Sequence, residues 1–440
     1  MTFEELGLRS EVLKSLTELG FEAPTPIQEK AIPYLMQEDC DFVGLAQTGT
    51  GKTAAFGLPL INNIDTKARL PQGLIICPTR ELCLQITKDL NVFAKYLDCS
   101  ITAVYGGTDI RKQITDIKKG TSIIVATPGR LVDLMNRKVI QLSQVRYVVL
   151  DEADEMLNMG FKEDIDAVLE TTPIDKNVWL FSATMPTEVA RIAKTYMNDP
   201  LEVSIGHKNQ SNENIDHIYY MVKERDRYEA VKRLIDFNPS IYGLIFCRTK
   251  NETATVAEKL GREGYNAEPL HGDLTQAMRD RVMERFRSKE LQILVATDVA
   301  ARGLDINNIT HVINYNLPDD IENYTHRSGR TARAGKKGES LVLINTRENG
   351  KIRAIEKQMR TEFTKGTIPS PEDICAVQLT KLMDKVLATE VNEKEIEAFL
   401  PQIIEAETPS VGSISPCAAA FKKLSNVSSN DAFPIGPDSS

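Results

Sequence analysis

What this chain lacks narrows its class first. Its seven cysteines (Cys40, Cys77, Cys83, Cys99, Cys247, Cys375 and Cys417) never form a CxxC pair. An odd, scattered set excludes the usual zinc spacing and a disulfide framework, and it fits thiols kept reduced in a cytosol. No apolar run approaches the roughly 18–20 residues that cross a bilayer, so no membrane partner is expected. The opening Met1-Thr2-Phe3-Glu4-Glu5-Leu6 lacks the basic-then-apolar order of a signal peptide, and a cytoplasmic location is the expectation. Aromatics make up only 6% of residues, and the single tryptophan, Trp179, lies inside an apolar segment. It reads as core rather than as a stacking platform, just as Met156 and Met159 read as gap-filling core. Short-period repeats are also missing.

What is present is an enzyme-sized chain. Its 440 residues, 42% hydrophobic and 26% charged, exceed one ordinary core and imply two domains plus an addition. A net charge of −9 argues naively against a nucleic-acid partner. Charge is local, however: from Tyr324 to Lys365 eleven Lys/Arg face four Glu, a surplus of seven. A basic face on an acidic protein attracts phosphate, in a salt-sensitive way.

Residues 1–205 alternate helical patterns with short Val/Ile/Leu-rich segments at 42–46, 74–77, 101–105, 123–126, 147–150 and 178–181. That rhythm predicts an α/β fold with a parallel sheet, whose ligands gather at the carboxyl ends of strands. A polar stretch at 206–215 reads as a linker. The same grammar resumes over 216–365, with strands expected at 218–222, 243–246, 293–296, 311–314 and 340–344 but no second phosphate loop. Over 366–407, Ile374, Val377, Leu382 and Val386, then Ile396, Phe399, Leu400, Ile403 and Ile404, fall at helical spacing and predict two amphipathic helices. The Ser-, Pro-, Asn- and Gly-rich residues 408–440 are expected to be disordered.

Three constellations carry chemistry. Thr48-Gly49-Thr50-Gly51-Lys52-Thr53 follows an apolar strand and opens a helical pattern, the context of a phosphate loop. Backbone N–H groups and a helix N-terminus would surround phosphate, Lys52 would offset its charge, and the Thr53 hydroxyl would hold Mg²⁺. Ala46 stands where the generic pattern has its first glycine. Next, the strand 147–150 runs into Asp151-Glu152-Ala153-Asp154. Asp151 is placed to hold Mg²⁺ and Glu152 to deprotonate the attacking water, although an acidic pair at a strand end is weak evidence alone. Last, Arg330 and Arg333 lie three apart and would share one face of a helix. Two guanidinium groups suit a transferred phosphoryl group, and the same spacing suits a solvated or RNA-facing basic helix. His326 is open between a structural histidine and a link between sites.

Together these segments resemble a DEAD-box RNA helicase over about residues 1–365. The literal Asp-Glu-Ala-Asp, the phosphate loop and Ser182-Ala183-Thr184 match the family's motifs in order, and alanine at 46 is common in that family. Gly20-Phe21-Glu22-Ala23-Pro24-Thr25-Pro26-Ile27-Gln28, with Phe3 upstream, resembles its adenine-reading motif. The resemblance implies two tandem RecA-like domains, with ATP and Mg²⁺ as cofactors. Gln28 would read the adenine edge and Phe21 pack on its face; Gly303 and Asp305 would meet the nucleotide, Asp305 at the ribose. Arg330 and Arg333 would act as arginine fingers, while Ser182, Thr184 and His326 would couple the sites. Pro78, Thr79 and Arg80, Gly106 and Gly107, Thr127, Pro128, Gly129 and Arg130 match RNA-facing motifs of the first domain. Arg248, Thr297 and residues 276–279 match those of the second. Backbone amides and hydroxyls of this kind position phosphates without reading bases, and contact with 2′-hydroxyls would separate RNA from DNA.

The implied activity is ATP-dependent, local separation of RNA strands. An ATP-gated RNA clamp without productive unwinding uses the same residues. A DNA helicase on this scaffold is the rival that Gln28 and the literal Asp-Glu-Ala-Asp oppose. The 366–407 segment resembles the dimer-forming extension of bacterial cold-shock members, or else caps the second domain. Ribosome-assembly or RNA-decay proteins are the partners that the resemblance admits.

Overall fold

The computed structural model describes residues 1–388 apart from 38–39, 48, 67, 69, 206–213, 302–305, 307, 319 and 333–335. Expectations for Thr48, Gly303, Asp305, Arg333, most of the 206–215 linker and everything after 388 therefore lie outside the described residues.

Among the described residues the chain forms two seven-stranded sheets. The first contains β1 (Phe42–Leu45), β2 (Gly73–Ile76), β3 (Ile101–Val104), β4 (Ile123–Ala126), β5 (Tyr147–Asp151), β6 (Asn177–Ser182) and β7 (Leu201–Ser204). The second contains β8 (Ile215–Met221), β9 (Gly243–Phe246), β10 (Ala267–Leu270), β11 (Ile293–Ala296), β12 (His311–Asn314), β13 (Gly338–Ile344) and β14 (Thr364–Gly366). Their strand orders are β3-β4-β2-β5-β6-β1-β7 and β10-β11-β9-β12-β13-β8-β14, the same order offset by seven. The pairings that hold them together are parallel.

Parallel strands need helical crossovers, which cover both faces and make the central strands apolar throughout. β1, β2, β4 and β5 are buried along their whole length. Trp179 is fully buried, donating its indole N–H to Cys40 O at 3.1 Å. Met156 is buried and Met159 half-buried beside it.

β7, β10 and β14 escape a reading of sequence pattern, and all three stand at sheet edges. An edge strand has one neighbour and more solvent, so its apolar run is diluted; Pro269 in β10 is tolerated for the same reason. After β14 one helix, Pro371–Leu387, is capped by a reciprocal Ser370–Asp373 box and lies against the helix Arg227–Phe237. No described helix is long and apolar enough to cross a membrane.

Candidate functional site

The phosphate loop is pinned from below by the segment resembling an adenine reader. Thr25 caps the helix Pro26–Leu35 in a reciprocal box with Gln28. Thr25 Oγ1 then donates to Thr50 O at 2.9 Å, and Gln28 Nε2 donates to Gly51 O at 3.1 Å. Gly51 has φ of 90°, and a Cβ there would sit 2.4 Å from Gln28 Nε2, so glycine is required twice over. Gln28 is buried, and its Oε1 accepts from Thr25 N–H. A carboxamide has two protons and two lone pairs; here one proton stiffens the loop and one lone pair caps the helix. Phe21 is 37% exposed, edge-on to Phe3 and Phe93. Gly49, Thr50 and Thr53 follow the loop into the helix Lys52–Asn63. The Lys52 ammonium is buried and donates to Ala46 O at 2.9 Å.

β5 delivers the acids opposite this lysine. Burial pushes the Asp151 carboxyl up to about 7; Lys52 pulls it back down, and Glu152 pushes it further up. Glu152 adopts φ 53°, ψ 49°, the left-handed region that non-glycine residues seldom occupy. Its buried Oε2 has no hydrogen-bond partner. Asp154 is tied to the next strand end: it accepts from Thr184 N–H at 2.9 Å and Thr184 Oγ1 at 2.7 Å, and its own N–H donates to Ser182 Oγ at 3.3 Å.

The second half reaches this centre through His326. Its Nδ1 bonds Glu155, and its Nε2 lies 3.5 Å from Asp154 Oδ2. Burial opposes charge on the imidazole, but the two carboxylates outweigh it and raise its pKa to about 10. Burial also opposes charge on Asp154; His326 and Thr184 win there and hold the carboxyl well below its ordinary value. The structure thus gives His326 a bridging position between the halves.

Arg330 departs from expectation. The helix Ile321–Ser328 ends with Gly329 as its C-cap, so Arg330 lies beyond the helix. Arg330 is buried beside Glu155, His326 and Asp298. Pattern reading passed over Arg327, three residues earlier. Its guanidinium forks onto Asp298, donates to Asn314 Oδ1 at 3.0 Å and Asn316 O at 2.8 Å, and lies over the Phe246 ring. Nothing in the spacing distinguishes this organising arginine from its neighbours.

The residues assigned to RNA sit after β2, β3, β4, β9 and β11, in the loops or in the first turn of the following helix. Pro78 and Thr79 follow β2, and Thr79 caps the next helix by accepting from Leu82 N–H at 3.2 Å. Gly106 and Gly107 are exposed, Gly107 with φ of 79°. Thr127 precedes Pro128, the first residue of the helix Pro128–Asn136, which leaves Gly129 exposed. Arg130 bonds inward to Gln113 and Thr108. Arg80 instead crosses between the halves to Asp280 at 3.0 Å and covers the Tyr105 ring. Beside it Arg279 reaches back to Glu81 at 3.4 Å, making a crossed pair. Arg248 Nη2 donates to Leu317 O at 3.3 Å, and the Thr297 hydroxyl accepts from Ala300 N–H at 3.4 Å.

Two sheets of one topology, with a phosphate loop in the first and the acids after β5 met by His326 of the second, define a two-lobed RecA-like ATPase. The profile of the DEAD/DEAH box helicase family matches residues 25–192. That of the helicase conserved C-terminal domain matches 226–335, and that of a helical domain of probable ATP-dependent RNA helicases matches 374–406. DEAD-box ATP-dependent RNA helicase CshA of Bacillus anthracis is 45% identical over 392 residues, 89% of this chain and 74% of that protein. CshA of Geobacillus kaustophilus is 42% identical over 423 residues, 96% of this chain and 90% of its own. Among solved structures, S. cerevisiae Dbp5 bound to RNA and ADP BeF3 superposes with a TM-score of 0.79 at 32% identity, covering 86% of this chain and 99% of that one. The chain belongs to the DEAD-box family of ATP-dependent RNA helicases, and is closely similar to the bacterial CshA type. It is an ATP-binding, RNA-binding enzyme.

Proposed function

We propose that this protein uses ATP to close its two halves on RNA backbone and so separates a few base pairs at a time. The observation that carries the reading is the His326 bridge, which joins the second half to Asp154 and Glu155, within three residues of Glu152. Closure and the hydrolytic centre are then one event.

In this mechanism the loop 48–53 and Lys52 hold the phosphates, while Gln28 and Phe21 select adenine. Glu152 takes a proton from the attacking water; its orphaned Oε2 has capacity for that contact. Arg330 and Arg333 stabilise charge on the transferred phosphoryl group. No cluster of three metal-binding side chains occurs among the described residues. Mg²⁺ fits here nonetheless, since a hard cation held by one or two protein oxygens and the nucleotide is its ordinary site, and the buried Asp151 carboxyl stands close enough to Lys52 to feel its charge. Thr53 and Asp151 would hold it, and it would supply positive charge against the phosphates.

Ser182 and Thr184 transmit the state of Asp154 to the neighbouring strand. The loops after β2, β3, β4, β9 and β11 grip phosphates and sugar from both halves. A cytoplasmic setting fits the described cysteines, none of which is in a disulfide. Self-association through 366–407 is supported by exposed Leu382, Met383 and Val386 on the helix Pro371–Leu387. A native molecular-mass measurement of the full chain and of one ending at 370 tests it.

The test of the main reading is displacement of a short RNA duplex. Displacement in ATP that disappears in Glu152→Gln is expected. ATP-dependent RNA retention without displacement would make the protein a clamp.

A further inference from the structure

Gln113 is a buried carboxamide on the helix Ile110–Lys118, an amphipathic segment whose Ile114 and Ile117 already pack into the core. Packing alone would accept an apolar residue at 113. Its amide protons are instead both spent on the loop after β3: Nε2 donates to Tyr105 O at 3.0 Å and to Thr108 Oγ1 at 3.1 Å. Its oxygen accepts from Arg130 Nη1, in the first turn of the helix that follows β4, at 3.2 Å. Arg130 closes the circuit by donating through Nη2 to Thr108 O at 3.4 Å. Gly106 and Gly107, with no side chains to fix them, lie between the two anchored residues Tyr105 and Thr108.

We infer that Gln113 is a positioning residue for RNA, locking the 105–108 loop and the helix start at 127–130 into one rigid surface before RNA arrives. The inference rests on the reading that these loops grip the RNA backbone. Two exposed glycines on an untethered loop must be ordered at binding, and that cost weakens affinity for RNA. Turnover of the complex once formed is unaffected, because Gln113 touches neither nucleotide nor the acids of β5. Its signature is therefore a change in KM for RNA with little change in kcat.

RNA-stimulated ATPase of the full chain, titrated with single-stranded RNA, tests this in wild type, Gln113→Leu, Arg130→Met and the double variant. Gln113→Leu should raise KM for RNA about tenfold with kcat within about twofold. The double variant should be no worse than about twofold beyond Arg130→Met, because the two residues act as one unit. Gln113→Glu keeps the acceptor for Arg130 and loses both donated bonds, so an increase of about threefold is expected; it carries the test if Gln113→Leu does not fold. A raised KM in Arg130→Met beside an unchanged KM in both Gln113 variants overturns the positioning role alone. Unchanged KM in every variant overturns the RNA reading of these loops as well. Multiplicative losses in the double variant, or kcat falling in step with affinity, would make Gln113 an ordinary structural residue and overturn the inference.

Discussion

The two halves share a strand order and differ in what that order carries. In the first, β1 runs into a glycine-bearing loop and the helix Lys52–Asn63. In the second, β8 runs into Glu224–Asp226 and a helix whose first residue is the buried Arg227, with no glycine between. Register sharpens the contrast. Ile76 pairs with Leu150 in one sheet and Phe246 with Asn314 in the other, so Tyr315 and Asn316 stand where Asp151 and Glu152 stand. One half carries two carboxylates at this strand end, and its counterpart carries neutral groups there. Yet the next loops remain alike: Thr79 and Thr249 each cap a helix after the matching strand. Duplication of a sheet thus permits division of labour at one strand end and shared labour at its neighbours.

The contrast can be broken most severely in the first half. Lys52→Ala should lower ATP turnover by about a thousandfold and abolish tight ATP binding, seen in nucleotide titration. Glu152→Gln should cost a comparable factor, roughly 10²–10⁴, in turnover while ATP still binds, and RNA dissociation in ATP should slow. In the second half Arg330→Ala should reduce kcat by about a hundredfold with KM for ATP little changed. A larger effect on KM than on kcat would remove it from the hydrolytic step.

Smaller effects test the contact between halves. Glu81→Arg and Arg279→Glu should each weaken RNA-dependent turnover about threefold, and the reversed pair should recover most of it. The final test is pH. With both halves closed, His326 is raised from 6.5 to about 10, so its bridge contributes fully below about 6.5 and is lost as pH rises through 10. Affinity for RNA in the presence of ATP should decline across that window, and His326→Gln should flatten the decline.

Central strands and strand-end motifs were legible in the sequence because a fully buried parallel strand is a continuous apolar run that stops at a polar loop. Asp151, after Tyr147-Val148-Val149-Leu150, is the plainest case. Three of the four edge strands were not legible; Leu201-Glu202-Val203-Ser204 in β7 shows only alternation, whereas β3 at the opposite edge was read at 101–105. The helical face expected for Arg330 fails because Gly329 ends the helix and Ala332 takes φ of 56°, a backbone choice that residue spacing does not encode. Contacts between halves were invisible for another reason. Asp280 and Glu81 look like any charges on a solvated helix until a partner some 200 residues away in the chain is brought to them. Gln28 shows a third limit: the sequence marks its chemistry but not that one of its amide protons holds the phosphate loop.

In the proposed mechanism, RNA lying across both halves completes the ATP site. Steady-state ATPase of the full chain alone, with single-stranded RNA and with DNA of the same sequence tests it most directly. Strong stimulation by RNA only is the predicted result. Equal stimulation by DNA, or turnover that needs no nucleic acid, would contradict it.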